Sequence, residues 1–242
     1  MKILSIGNSF SEDAQRWLHD IAKLHNVDIQ CANLYIGGCS LETHWINEKE
    51  NNAFYAYQVN GNEALEKISI SDALLREKWD VVTIQQVSNL SGMAETYEPY
   101  LSAILEKVRR VLPDAKLYLH RTWAYEVDTE HPGFDNYDRN QQKMYDCIVS
   151  ATEQVAKATG LRIIPTGNVI QQLRENVSEF DYQNGGISLC RDGYHLTFDI
   201  GRFAAGATWY TTLTGQKINL TEFGNFDKTL VSKIIETVNN LI

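Results

Sequence analysis

Short apolar runs at residues 2–6, 28–34, 81–84, 116–120 and 162–165 alternate along the chain with longer segments whose apolar residues recur every three or four positions. No other feature restricts the possible folds as much. A run apolar at successive positions suits a strand buried on both faces, and an amphipathic segment between two such runs suits a crossover helix. Repeated βα units then build a parallel sheet with helices on both sides, an α/β fold. The helical segments begin with 12–24, which carries Trp17, Leu18, Ile21 and Leu24 on one face. Residues 97–112 carry Leu101, Ile104, Leu105, Val108 and Leu112 and are stopped by Pro113. Residues 137–159 follow, closed by Gly160 in the C-cap role, and 167–175, 198–213 and 227–242 complete the set.

Two stretches break the rhythm. Residues 53–59 alternate apolar with polar, Asn60-Gly61-Asn62 intervenes, and 64–70 alternate weakly. Asn-Gly between such runs is a hairpin signal, so a small β-hairpin excursion outside the main sheet is expected. Residues 124–138, rich in Asp, Glu, His, Pro and Gly, follow the fourth strand, where α/β folds place ligand loops. There is no internal repeat, low-complexity tract or linker, so residues 1–242 read as one domain.

Composition excludes several function classes. With 43% hydrophobic and 22% charged residues, a chain of 242 residues can bury a full core without help from disulfides or metal. A net charge of −9 argues against nucleic acid as a partner, because phosphate contacts need clustered Lys and Arg. Cys31, Cys39, Cys147 and Cys190 are far apart, without metal-finger spacing, and read as reduced thiols. No apolar stretch is long enough to span a bilayer. The opening run, Met1 to Gly7, is too short for a signal-peptide core and reads as the first strand. The expected location is therefore cytoplasmic, or secreted or periplasmic if an original leader is missing from this sequence.

Chemistry-bearing residues fall at strand ends. Gly7-Asn8-Ser9-Phe10-Ser11 follows strand one and precedes a helix, which puts Ser9 where parallel sheets bind ligands and near helix amides that favour negative charge. A serine there also fits a plain N-cap, but Ser11, followed by Glu12 and Asp13, is the better cap, and Ser9 is left without that explanation. A serine hydroxyl needs an adjacent base to act as a nucleophile. Arg191-Asp192-Gly193-Tyr194-His195 can supply a histidine base and, three residues earlier, a carboxylate to fix its tautomer. The same residues also fit a solvated loop. Tyr35-Ile36-Gly37-Gly38 follows strand two, and the Gly38 N–H can point into a site there. After strand three, Gln85-Gln86-Val87-Ser88-Asn89 offers side-chain amides as oxyanion donors. Trp45, Tyr55, Tyr57, Trp123, Tyr125 and His131 lie in candidate site loops, where polar-tipped aromatics suit sugar rings and core packing alike.

Taken together these blocks resemble the SGNH (GDSL-like) hydrolase superfamily over residues 3 to about 212, with Gly7-Asn8-Ser9, Gly38, Gln85 and Asp192-Gly193-Tyr194-His195 as the matching positions. The usual third-block G-x-N-D is absent. Gln85 to Asn89 looks more like the Q-G-E-S-N of the sialate O-acetylesterase and acetylxylan esterase branch, with Gln86 and Val87 in place of Gly and Glu. Asn8 stands where the first block usually has Asp. The resemblance implies a three-layer α/β/α, flavodoxin-like domain with a five-stranded parallel sheet. It implies a serine esterase acting through an acyl-enzyme without metal or organic cofactor, on a small-molecule or oligosaccharide ester. Ser9 would be the nucleophile, His195 the base and Asp192 its orienter. The oxyanion would rest on Ser9 N–H, Gly38 N–H and the Gln85 amide, with Gln86 and Asn89 in reserve. Trp45, Tyr57, Trp123 and His131 are the candidate substrate contacts. Two other readings stay open: a non-catalytic carbohydrate- or small-molecule-binding domain on the same fold, and a lipase or thioesterase.

Overall fold

A computed structural model of the protein describes residues 1–63 and 66–242. In chain order the elements are β1 (Lys2–Gly7), α1 (Ser9–Gln15), α2 (Leu18–Leu24), β2 (Gln30–Tyr35), α3 (Leu41–Lys49), β3 (Tyr55–Val59), β4 (Lys67–Ile68) and α4 (Ile70–Arg76). They continue with β5 (Val81–Ile84), α5 (Tyr100–Val111), β6 (Lys116–His120), α6 (Gln141–Thr159), β7 (Arg162–Ile164), α7 (Thr166–Asn176), α8 (Ile200–Thr214) and α9 (Lys228–Leu241).

The strands form one sheet in the order β4-β3-β2-β1-β5-β6-β7. The five apolar runs are its parallel strands, and β1 at the centre is buried on both faces. Ile3 packs into a core with α1, α2, α7, α8 and α9, while Leu4 and Ile6 pack into a second core with α3, α4 and α5. These are the two outer layers of an α/β/α sandwich.

Two expectations need correction. The sheet has seven strands rather than five, and the hairpin is not an excursion outside it. β3 pairs antiparallel with β2 from Ala32↔Val59 to Tyr35↔Ala56, and β4 pairs with β3. The outer edge of β2 would otherwise present a row of unpaired backbone groups, and the hairpin covers it while burying Tyr55 and Tyr57. Its turn uses Asn60 and Gly61, both at positive φ, and a side chain on Gly61 would strike the Arg16 backbone. The start of the expected second arm, Ala64 and Leu65, lies outside the described residues.

Among the helices, 12–24 divides into α1 and α2 at Arg16 and Trp17. The sequence reading missed α3 and α4. α3 turns His44, Asn47 and Glu48 inward beside Leu41, so its buried face is polar and shows no apolar period. His44 Nδ1 meets the Tyr55 hydroxyl at 2.9 Å.

The sheet order reverses at β1. The chain leaves it for β2 on one side and later returns to β5 on the other, so a crevice opens at the carboxyl ends of these three strands, where open α/β sheets bind ligands.

Candidate active site

Ser9 stands at that crevice as the first residue of α1. The cap is Asn8, not Ser11: Asn8 Oδ1 accepts the Phe10 N–H at 3.0 Å, and Ser11 Oγ accepts the Asn8 N–H at 3.0 Å. Gly7 permits this tight entry, because a Cβ there would lie 2.0 Å from Ser11 Oγ. Relieved of capping, Ser9 Oγ lies 2.8 Å from His195 Nε2.

The His195 ring is held as the motif would require of a base. His195 Nδ1 lies 2.7 Å from Asp192 Oδ2, while Asp192 Oδ1 accepts the N–H groups of His195 at 2.7 Å and Tyr194 at 3.2 Å. An ionised carboxylate only accepts, so the imidazole proton sits on Nδ1 and Nε2 is free to receive the Ser9 proton. Partial burial by itself would raise the Asp192 pKa, but the hydrogen bonds from the His195 ring and the two amides outweigh it and hold the carboxyl below its ordinary range. The turn depends on Gly193, at φ +85°, which packs against Thr129.

The loop carrying Asp192 and His195 is anchored to α1, the helix that Ser9 opens. Asp13, 0% exposed, accepts from Arg202 Nε at 2.7 Å, Leu196 N at 2.8 Å and Arg191 Nη1 at 3.2 Å. Trp123 Nε1 donates to Tyr194 O at 2.7 Å from the other side, and Glu126 N to Gly193 O at 2.7 Å. Sequence reading did not flag Asp13, although an acid one helical turn after Ser9 on a buried face was the available signal.

A cavity of about 370 Å³ opens over Ser9 and His195. The Ser9 and Gly38 N–H groups have no hydrogen-bond partner among the described residues, and both residues line it. Gly38 sits at φ +63° with open space where a Cβ would project. Asn89 also lines the cavity, and its side-chain amide has no partner among the described residues. The residue is braced from behind: Asn136 Nδ2 and the Tyr137 hydroxyl donate to its backbone oxygen at 3.0 and 3.1 Å, and Gly133 packs against its Cβ.

Gln85 lies behind this cavity, not in its lining. It is 1% exposed; its Nε2 donates to Asn8 Oδ1 at 2.8 Å and its Oε1 accepts from His120 Nδ1 at 2.7 Å. Burial drives the His120 pKa down to about 3, so that ring is neutral and its Nε2 accepts from Thr166 Oγ1 at 3.0 Å. Gln86 is likewise committed, accepting from Leu41 N and donating to Thr96 O. Asn8 Nδ2 in turn donates to Cys39 O at 3.1 Å and ties the Ser9 segment to the glycine loop. An amide suits Asn8 because the side chain must both donate and accept here, which a carboxylate does not do.

Of the four candidate substrate contacts, only His131 reaches the cavity. Trp123 is fully buried and stacks on Phe10 with ring centroids 4.2 Å apart. Tyr57 is buried in the sheet with Arg76 over its ring, and Trp45 packs on the α3–α5 side. Phe10, Tyr35 and Tyr194 line the cavity instead. All three are neighbours of the recognisable motifs, and that adjacency was the signal available. A larger polar cleft of about 510 Å³ adjoins Glu126, Gln141 and Arg174, but its described lining holds no nucleophile–base pair. Among the described residues, no three His, Cys, Asp or Glu side chains group as a metal site would require, and no helix is long and apolar enough to cross a membrane.

Residues 2–235 match the family described as Domain of unknown function (DUF4886). The crystal structure of a DUF4886 family protein from Bacteroides uniformis ATCC 8492 is 36% identical, with TM-score 0.91, covering 99% of this chain and 93% of that one. A putative SGNH hydrolase from Slackia heliotrinireducens is 20% identical, with TM-score 0.57 over 88% of this chain and 98% of that one. An acetyl-xylooligosaccharide esterase from Geobacillus is 13% identical, with TM-score 0.54 over 88% and 92%. At such identities the last two establish a shared fold, that of SGNH hydrolases. No curated protein matches the chain by sequence.

Proposed function

The chain belongs to the DUF4886 family, and from that premise we propose that it is a serine ester hydrolase that removes acetyl or another short acyl group from a carbohydrate. One observation carries the reading. Ser9, His195 and Asp192, brought together across 186 residues of chain, form a continuous relay at 2.8 and 2.7 Å beneath a cavity also lined by Ser9 and Gly38, whose backbone N–H groups have no partner among the described residues.

Ser9 Oγ attacks the ester carbonyl as its proton passes to His195 Nε2, and Asp192 stabilises the imidazolium. The carbonyl oxygen, now anionic, lies against the Ser9 and Gly38 N–H groups and the Asn89 amide, donors fixed in place before the reaction. Collapse of the tetrahedral species releases the alcohol, which takes its proton from His195. Water then attacks the acyl carbon as His195 removes its proton, and the acyl C–Oγ bond breaks as Ser9 Oγ takes that proton back from His195, releasing the acid. The cavity's size and scarcity of aliphatic lining favour a short acyl group, and Tyr35, Tyr194 and His131 offer polar-tipped rings to a sugar. Acetyl esterases of xylan among the fold's neighbours support the same substrate class.

The test is Ser9→Ala beside Ser11→Ala, assayed on p-nitrophenyl acetate, with a fluorophosphonate probe mapped by peptide sequencing. Ser9→Ala is expected to lose at least about a thousandfold in kcat, since members of such a relay act as a unit. Labelling should fall on Ser9. Parental activity in Ser9→Ala, or labelling of another serine, would refute the reading.

A further inference from the structure

We propose that His131 is a specificity-determining hydrogen-bond donor in this cavity, held in the Nε2–H tautomer and directed to an oxygen on the alcohol half of the ester; this rests on the esterase reading above. The tautomer follows from geometry. His131 Nδ1 accepts the Gly133 N–H at 3.0 Å across the turn through Pro132. A neutral imidazole whose Nδ1 accepts carries its proton on Nε2. That N–H has no partner among the described residues, and the ring lines the cavity beside Ser9 and His195.

The ring also stays uncharged. Partial burial, then the neighbouring His195, lowers its pKa below the ordinary histidine value, and only Asp192 opposes them. His131 therefore presents a neutral donor with fixed direction.

Its place in the cavity indicates which half of the substrate it meets. The rings of His195, Tyr194 and His131 form a row with centroid separations of 4.3 and 4.8 Å. His195 protonates the departing alcohol, so the alcohol extends along the His195 side, and the row carries that side on to His131. The hydroxyls of Tyr35 and Tyr194, in the same cavity, also have no partner among the described residues. A sugar or other polyol supplies an oxygen acceptor next to the ester; a plain aryl alcohol leaves the His131 N–H unmatched. Sites built around such a donor discriminate against substrates that lack its partner.

The experiment compares parent, His131→Asn and His131→Phe on a monoacetylated methyl xyloside and on p-nitrophenyl acetate. In His131→Asn the side-chain oxygen can still accept the Gly133 N–H, as in an Asx-turn, while the ring donor is lost. His131→Phe removes both. In both variants kcat/KM on the xyloside acetate is expected to fall roughly tenfold further than on p-nitrophenyl acetate, mainly through KM, as for an unmatched polar group. Imidazole ¹⁵N spectra of the parent should show a protonated Nε2 and a bare Nδ1 at neutral pH. Equal losses on the two esters, no loss on the xyloside acetate, or an Nδ1–H tautomer overturns the proposal. A parent that cleaves the aryl acetate but no hydroxylated acetate overturns it and leaves the esterase standing. A parent that cleaves neither ester overturns both.

Discussion

Replacing Asn89 and Gln85 separately by alanine should split activity from stability. Asn89 lines the cavity and its side-chain amide has no hydrogen-bond partner among the described residues, while its backbone oxygen is held by Asn136 and Tyr137. Asn89→Ala keeps the Cβ that Gly133 packs against and the backbone contacts, so its stability cost is within about 0.5 kcal/mol. Losing one oxyanion donor costs about 10²–10³ in kcat, or roughly 2.7–4 kcal/mol of transition-state stabilisation. Gln85→Ala does the reverse. It deletes the 2.8 Å bond to Asn8 and strands the N–H of the buried His120, which Gln85 accepts at 2.7 Å. The lost bond is worth about 1 kcal/mol and the stranded donor about 1–3, giving about 2–4 kcal/mol in all. For a chain of this size that lowers Tm by about 4–16 °C, at roughly 2–4 °C per kcal/mol. Asn8 keeps its bond from Phe10 N, so kcat well below the transition should stay within about tenfold of the parent. The assay is p-nitrophenyl acetate turnover beside calorimetry on each purified variant. A Gln85→Ala protein of parental Tm that has lost a hundredfold in kcat, with Asn89→Ala fully active, would refute the reasoning and restore Gln85 as the oxyanion donor.

Three further outcomes are expected. Asp192→Asn keeps the side-chain shape but allows the wrong His195 tautomer, and should lower kcat by roughly 10⁴ as in serine protease relays; near-parental turnover by steady-state kinetics would remove Asp192 from the relay. Because hydrogen bonds from the His195 ring and two amides outweigh partial burial and hold the Asp192 carboxyl below its ordinary range, protonation of Asp192, followed by carboxyl ¹³C shifts, should come at lower pH than for a free aspartate. An Asp192 carboxyl that titrates at or above the ordinary aspartate value would contradict this. Asp13→Asn leaves Arg202 and Arg191 without their buried countercharge and should cost about 3–5 kcal/mol, seen as a fall of roughly 6–20 °C in Tm, together with a loss in kcat as the His195 loop loosens; an unchanged Tm would show the clamp to be idle.

What the sequence determined by itself is what local pattern encodes. Successive apolar positions in β1, β5 and β6 can only be satisfied by burial on both faces, so the parallel core of the sheet was legible, as was Gly160 closing α6. Ser9, Gly38 and the Asp192–His195 pair were legible too, because each sits at a strand end or in a tight turn that spacing reveals. Tertiary structure decided the rest. Hairpin β3–β4 alternates like any exposed hairpin, and only the open edge of β2 draws it into the sheet. Gln85 and Asn89 are both amides four residues apart on one loop. Which one lines the cavity depends on Asn8 and His120 taking Gln85 inward, while Gly133, from a loop more than forty residues away, buttresses Asn89. Trp123 and His131 both lie in the segment that follows β6, yet Phe10 stacks on the first and buries it while the second lines the cavity. A side chain's type limits what it can do; its inward or outward direction is settled by partners distant in the chain, and no local period records them.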